Sequence, residues 1–122
     1  MLLSSEQFTT ANRIVGYDER EVRLVDTVLT RTTLLTHADR EPLALTSSAD
    51  LDAWDHHGLL RLKISILLIT SPEPLIWPSP QFKARLAQHG IGLEVLNMGA
   101  AARTFNLLLS DWRPVGLLIL LG

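Results

Sequence analysis

The sequence has no cysteine among its 122 residues. Disulfides, thiolate metal sites and cysteine nucleophiles are therefore excluded, and the composition suits a reducing compartment. Charge is sparse and mixed, with 11 Lys and Arg against 13 Asp and Glu for a net charge of −2. The basic residues are scattered and form no stripe of the kind that phosphate neutralisation demands, so nucleic acid is not an expected partner. Long hydrophobic runs are missing too. The most apolar stretches, Ile66–Ile69 and Leu117–Leu121, fall far short of the roughly 20 residues that span a bilayer as a helix, and they read as buried strands. Residues Met1–Phe8 lack a basic segment, carry Glu6 and are apolar in a run only over Met1–Leu3, which is not a signal-peptide pattern. A cytoplasmic protein with no membrane span is the expectation. No repeat, low-complexity tract or second domain is legible, so residues 1–122 are read as one domain, long enough to bury a core.

What is present falls into two halves. Up to about Leu45 the pattern is that of β-structure. Val22 and Leu24 alternate with polar neighbours, and Val28–Thr36 is rich in Thr, Leu and Val, which suit a half-buried pleated surface. Read as one strand, Val28, Thr30, Thr32 and Leu34 share a face. Tyr17–Arg20 reads as a polar turn, Asp26-Thr27 as a tight link and His37–Pro42 as a charged loop. Ser47–Asp50 has the spacing of a capping box that opens a helix, with Leu51 and Trp54 on its buried stripe and Gly58 as its stop.

The second half changes period. Ile64–Ile69 is a continuous apolar run apart from Ser65, as expected of a strand covered on both faces. Ser71–Pro80 holds four of the six prolines and reads as an extended loop. Ser79 is placed to cap a helix whose first residue is Pro80, where the missing amide costs nothing, with Phe82 and Leu86 inward and Gly90 as its end. Leu93–Leu96 is a short strand. Gly99–Asp111 is a helix with Phe105, Leu108, Leu109 and Trp112 at core-stripe spacing, Pro114 stops it, and Val115–Leu121 is the last strand. This alternation predicts an α/β fold, an open sheet covered by helices, with extra antiparallel strands at the N-terminal side.

The stretch from Gly90 to Asn106, with Asn97-Met98-Gly99-Ala100-Ala101-Ala102-Arg103 at its centre, resembles the core motif of the domain-of-unknown-function family 498/598. With lower specificity the resemblance runs from about Arg13 to Leu121, through the paired strands of Val22–Leu35 and the apolar strand Ile64–Thr70. It implies a three-layer α/β domain with a central mixed, mostly parallel sheet, and it implies no established enzymatic activity. The family includes a mitochondrial respiratory complex I assembly factor that acts by binding other proteins, so the resemblance implies a protein partner. The chain departs from the family pattern where chemistry would sit. The family usually has Asp at the position of Asn97, Thr at Met98, Cys at Ala102 and Tyr at Phe105, and a glycine-bearing loop where Thr70–Pro74 stands. An acid, a hydroxyl, a thiol and a phenol are thus absent from the expected site.

That site is the strand-to-helix turn at Asn97–Asn106, because ligands in open α/β sheets favour the carboxyl ends of strands and helix N-termini attract anions. Asn97, Gly99, Arg103, Thr104 and Asn106 are the candidate binding residues. Gly99, Arg103, Asn106 and Ser110 would share a face opposite the core stripe, suited to a carboxylate, a phosphate or the acidic side chain of a partner. The alternative is that the small residues only let the helix pack tightly while Arg103 and Asn106 tie down loops. Asp50, Asp52, Asp55, His56 and His57 include a carboxylate–imidazole pair four apart, a spacing that can bind a divalent ion, but a metal would need a further ligand from elsewhere, a solvated helix face ending near Gly58 is the simpler reading, and no metal is expected. Trp77 between prolines is either an interface anchor or a cover for the core. No Ser/His/Asp order, carboxylate pair or nucleophile elbow is recognisable, so neither a catalytic residue nor a cofactor is expected. The sequence favours a non-catalytic binding or assembly domain, with a small-molecule or anion-binding domain as the alternative.

Overall fold

The computed structural model describes residues 11–45, 50, 51, 54, 56–70 and 78–121. The elements in chain order are β1 (Ile14–Tyr17), β2 (Val22–Leu24), β3 (Val28–Leu29), β4 (Thr33–Leu35), β5 (Arg40–Pro42), α1 (His56–Leu60), β6 (Ile66–Thr70), α2 (Pro80–Gln88), β7 (Gly92–Leu96), α3 (Met98–Ser110) and β8 (Val115–Ile119). They form a five-stranded sheet in the order β5-β4-β8-β6-β7 and a three-stranded antiparallel sheet in the order β1-β2-β3. In the larger sheet β6 runs parallel to both β7 and β8, and the β4–β5 hairpin adds antiparallel strands on the β8 side.

The helices lie on both faces of this sheet for a topological reason. From β6 the chain steps outward through α2 to β7, then back across β6 through α3 to β8. Two right-handed crossovers in opposite directions must use opposite faces. The core divides accordingly. Phe105 and Leu109 of α3 pack with Leu68, Leu117 and Ile119, and the small sheet closes this cluster with Ile14, Val22 and Leu24. Phe82 and Leu86 of α2 pack on the other face with Leu34, Leu67, Ile69 and Leu118, joined by Leu51 and by Leu59 of α1. Neighbouring strand residues serve opposite clusters, so β6 is apolar over Ile66–Ile69 and β8 over Leu117–Ile119.

Several local expectations hold in atomic detail. Ser79 caps α2, its Oγ accepting from the Phe82 amide at 3.2 Å, and Pro80 is the first helical residue. Gly90 follows that helix with φ +73°, a conformation costly to any residue with a Cβ. The Tyr17–Arg20 turn is closed by Asp18, whose Oδ1 accepts from the amides of Arg20 and Glu21 at 2.8 and 3.0 Å. The β2–β3 link is closed by Leu24 N–H donating to the Thr27 carbonyl.

Other expectations are corrected. Val28–Thr36 is not one strand: β3 belongs to the small sheet and β4 to the large one. The break comes at Thr32, whose hydroxyl donates to the Leu121 carbonyl and accepts from the Leu121 amide, at 2.8 and 3.0 Å. Val28 is consequently exposed while Thr32 is buried, so the two do not share a face in one sheet. The charged stretch His37–Pro42 is not all loop, since Arg40–Pro42 pairs with β4. Gly58 stops nothing; it sits inside α1. Trp112 is not part of the α3 core stripe. The helix ends at Ser110 and Trp112 adopts φ +57°, so helical spacing no longer applies to it. Its indole stands 55% exposed, stacked at 5.3 Å on the His37 ring, whose Nε2 donates to the Arg113 carbonyl at 2.6 Å. The helix start at Ser47–Ala49 and Trp77 lie outside the described residues.

Two exposed carboxylates carry an acid dependence. Backbone hydrogen bonding, foremost from Arg20, holds the Asp18 carboxyl below its ordinary value of 3.8. The Arg40 guanidinium, 2.6 Å away, does the same for Asp26. A folded-state pKa below the unfolded one contributes stability above the unfolded value, and that contribution is lost as pH falls through the depressed folded value. Denaturation midpoints should therefore fall as pH drops below 3.8. Asp26→Asn should flatten that part of the profile, as urea titrations across the acid range would reveal.

Candidate functional site

The site is built on α3 and completed by β1. Asn97, in extended conformation at φ −68° and ψ 166°, caps α3 and accepts the Ala100 amide on its side-chain oxygen at 2.9 Å. The helix thus opens at Met98, one residue before the sequence suggested. The Ala101 amide is bound by the Asn97 carbonyl, which leaves the Met98 and Gly99 amides without an acceptor among the described residues. No acidic residue occupies this first turn, so the positive end of the helix is not neutralised locally.

The first strand is aimed at this turn by a β-bulge. Ile14 pairs with Leu24, but Gly16 pairs with Arg23, so Val15 and Gly16 together oppose one residue of β2. A bulge of this type re-aims the side chains that follow it. Ile14 and Tyr17, three positions apart, would otherwise face opposite ways. Here Tyr17 opposes the buried Val22 and faces α3 as Ile14 does. The Tyr17 hydroxyl comes to rest over Gly99, where an added Cβ would lie 2.8 Å from it and 3.3 Å from Nη1 of Arg103. The glycine is therefore what allows the phenol and the guanidinium to meet at the helix backbone.

A cleft of about 200 Å³ results between β1 and the first half of α3, lined by backbone and side chains of Ile14–Tyr17 together with Gly99, Ala102, Arg103 and Asn106. Arg103 is exposed, and among the described residues its guanidinium makes no hydrogen bond or ion pair. Tyr17 is 44% exposed and its hydroxyl is likewise unbonded there. Asn106 plays a different part. Its Oδ1 accepts from the Ile14 amide and its Nδ2 donates to the Ile14 carbonyl, both at 2.9 Å. The side-chain amide pairs with β1 as a neighbouring strand would, so Asn106 holds the cleft together and is not available to a ligand.

Of the five sequence-derived candidates, the structure brings Gly99, Arg103 and Asn106 to one cleft. Asn97 is spent on capping, and Thr104, half-buried on α3, lies outside the cleft lining. Tyr17 was missed, because a tyrosine beside a polar turn gives no hint of a bulge. Among the described residues no group of three or more His, Asp or Glu side chains could hold a metal ion. Asp52 and Asp55 lie outside those residues. No helix among them is long and apolar enough to cross a membrane.

The fold and cleft define a three-layer α/β domain with a cationic, hydroxyl-bearing groove at the carboxyl end of β7. The chain belongs to the family described as protein of unknown function (DUF498/DUF598), which matches residues 14–120. No curated protein matches it. The solution structure of Xanthomonas campestris XCC1710 is similar, with a TM-score of 0.80 and 27% identity over 89% of this chain and 83% of that one. A crystal structure from Bordetella parapertussis superposes with a TM-score of 0.81 at 18% identity, covering 93% of this chain and 98% of that one. A Bartonella henselae structure described as an outer membrane protein shares the fold with a TM-score of 0.74 at 22% identity, over 92% and 98% of the two chains.

Proposed function

We propose that this is a non-catalytic protein-binding domain that receives an acidic group of its partner in the cleft between β1 and α3. One observation carries the reading: the unpaired Arg103 guanidinium stands beside the Tyr17 hydroxyl over a helix turn stripped of its Cβ at Gly99. A guanidinium fork and a hydroxyl donor suit a carboxylate. Val15, 60% exposed, lines the cleft and supplies apolar contact, and Leu107, 61% exposed, lies one helical turn beyond Arg103 on α3. A role in assembling a larger complex, respiratory complex I among them, is the part of this proposal that rests on family resemblance alone.

The same cleft supports a second reading, a small-molecule or anion-binding domain, since about 200 Å³ has room for a small carboxylate or phosphate beside the free amides of α3. The two are separated by experiment. Arg103→Ala should change stability by no more than about 0.5 kcal/mol, as for other exposed sites. It should weaken recovery of a co-purifying partner by at least about tenfold, a loss of about 1.4 kcal/mol. Gly99→Ala should retain the fold, because the displaced atom is the far end of an exposed tyrosine, yet fill the cleft and weaken association likewise. Undiminished partner recovery by both variants would refute the docking site. A thermal shift with inorganic phosphate or acetate, lost in Arg103→Ala and unaccompanied by any partner, would favour the second reading. A ligand at about a hundred times its dissociation constant stabilises by about 2.7 kcal/mol.

A further inference from the structure

A separate feature lies at one edge of the large sheet. Among the described residues β7 is the terminal strand of the large sheet and pairs only with β6. The Gly92 amide donates to the Ser65 carbonyl at 2.9 Å, which fixes which groups of β7 face its partner. Along a strand the amide and carbonyl of one residue point the same way and alternate with those of the next. Gly92, Glu94 and Leu96 therefore turn their backbone to β6. Leu93 and Val95 turn theirs outward, where no strand among the described residues meets them. A row of two amides and two carbonyls is a template for a further strand.

The side chains of these same two residues reach into a second cleft. Leu93 and Val95, with Pro78, Ser79, Pro80 and Lys83, line a hollow of about 190 Å³ between β7 and the start of α2. Its lining is mostly apolar, and the exposed Lys83 ammonium at its rim has no ion pair among the described residues. Exposed Glu94 projects to the other face of β7. Edge and hollow together meet the two requirements of strand addition: main-chain groups that give affinity, and a pocket for alternate side chains that gives specificity.

Charge argues against a second copy of the chain as the occupant. A symmetric antiparallel pair that used Leu93 and Val95 of both copies would set Leu93 against Val95 and Glu94 directly against Glu94. Like charges in that position are destabilising. A strand carrying a basic residue there has the opposite effect.

We propose that β7 accepts an extended segment of another protein as a sixth strand of the sheet. That segment alternates apolar and basic residues, so that an aliphatic side chain fills the Pro78–Val95 hollow, a Lys or Arg lies beside Glu94, and an acidic neighbour meets Lys83. This inference does not rest on the Arg103 cleft.

The probe is the synthetic peptide acetyl-Glu-Thr-Val-Lys-Val-Thr-amide, with a scrambled control, added to the full chain and followed by amide hydrogen exchange in NMR spectra. The free protein should exchange the Leu93 and Val95 amides quickly, and the peptide should slow both by at least about tenfold. Leu93→Pro should abolish binding while leaving the fold intact, because the lost amide bonds nothing in the native sheet and proline is tolerated at such edges. A peptide methylated at its valine amides should fail in the same way without any change to the protein. Lys83→Glu should weaken binding several-fold. Equal binding of the scrambled or methylated peptide, or binding that leaves Leu93 and Val95 unprotected, would overturn the proposal. So would a concentration-dependent dimer that protects those amides without peptide. Loss of the Arg103 cleft's partner with normal peptide binding would leave this inference standing.

Discussion

Asn106→Asp should destabilise the domain by about 3 kcal/mol at neutral pH, far more than the exchange of one amide for one carboxylate suggests. The native side chain matches both backbone groups of Ile14, donor to acceptor, at 2.9 Å each. The aspartate keeps the bond from the Ile14 amide but loses the one to the Ile14 carbonyl, and sets a negative charge against that oxygen. Unsatisfied buried groups cost about 1–3 kcal/mol, more when charge is involved. The effect should depend on pH in a definite direction. A protonated carboxyl can donate to the Ile14 carbonyl, so the introduced group has a folded pKa above its unfolded one. Its neutral form is stabilising, and the deficit relative to the native chain should shrink as pH falls through that raised value. Asn106→Ala removes both bonds and should show a similar loss without the pH dependence. Urea denaturation of the three proteins at neutral and mildly acidic pH tests this. A deficit for Asn106→Asp that does not narrow on acidification would show that Asn106 does not pair with β1 in solution.

Arg40→Ala should cost about 2–3 kcal/mol, because this one side chain satisfies three separate parts of the chain. Its Nε donates to Oδ1 of Asn12 at 2.7 Å, and its Nη2 donates to the Ala11 carbonyl at 3.0 Å and to Asp26 at 2.6 Å. The exposed Asp26 contact is worth little by itself. The weight falls on Asn12, which is only 2% exposed and whose amide nitrogen is already committed to the Thr36 carbonyl at 2.7 Å. Removing Arg40 leaves the Asn12 oxygen buried without a donor. Arg40→Lys should recover only part of the loss, since a single ammonium cannot reproduce the planar fork. The loss should also be strongly non-additive with Asn12→Ala in a double-mutant cycle. Additive effects would assign the stability of this corner to packing rather than to the hydrogen bonds.

The sequence was legible where structure is decided locally. The strands β6, β7 and β8 announce themselves by apolar runs, and α2 by its serine cap and first-turn proline. The Asn97–Arg103 stretch gives away both the strand-to-helix turn and the family. It was illegible where a distant partner decides. Nothing near Thr32 reveals that Leu121, 89 positions on, takes its hydroxyl and divides an apparent strand between two sheets. His37–Pro42 looks too polar for a strand, yet β4 recruits its end as an edge, where charge is tolerated. Trp112 has the right spacing for the core but lies past the last helical turn, and a left-handed residue points wherever the reversal sends it. For the site, Gly99 and Arg103 could be named from their helix, whereas Tyr17 could not, because its orientation depends on a register shift between β1 and β2.

That shift amounts to one surplus residue at Val15, and it works like a change of reading frame in a two-letter code. Upstream of it the odd and even positions of the strand have one meaning, inside and outside; downstream the meanings are exchanged. Removing that single residue would set Ile14 and Tyr17 two positions apart, so that regular pairing alone would hold the phenol over the glycine of the helix; at the present length the bulge is what keeps it there. The groove is therefore specified as much by the parity of a count as by the identity of any side chain that lines it.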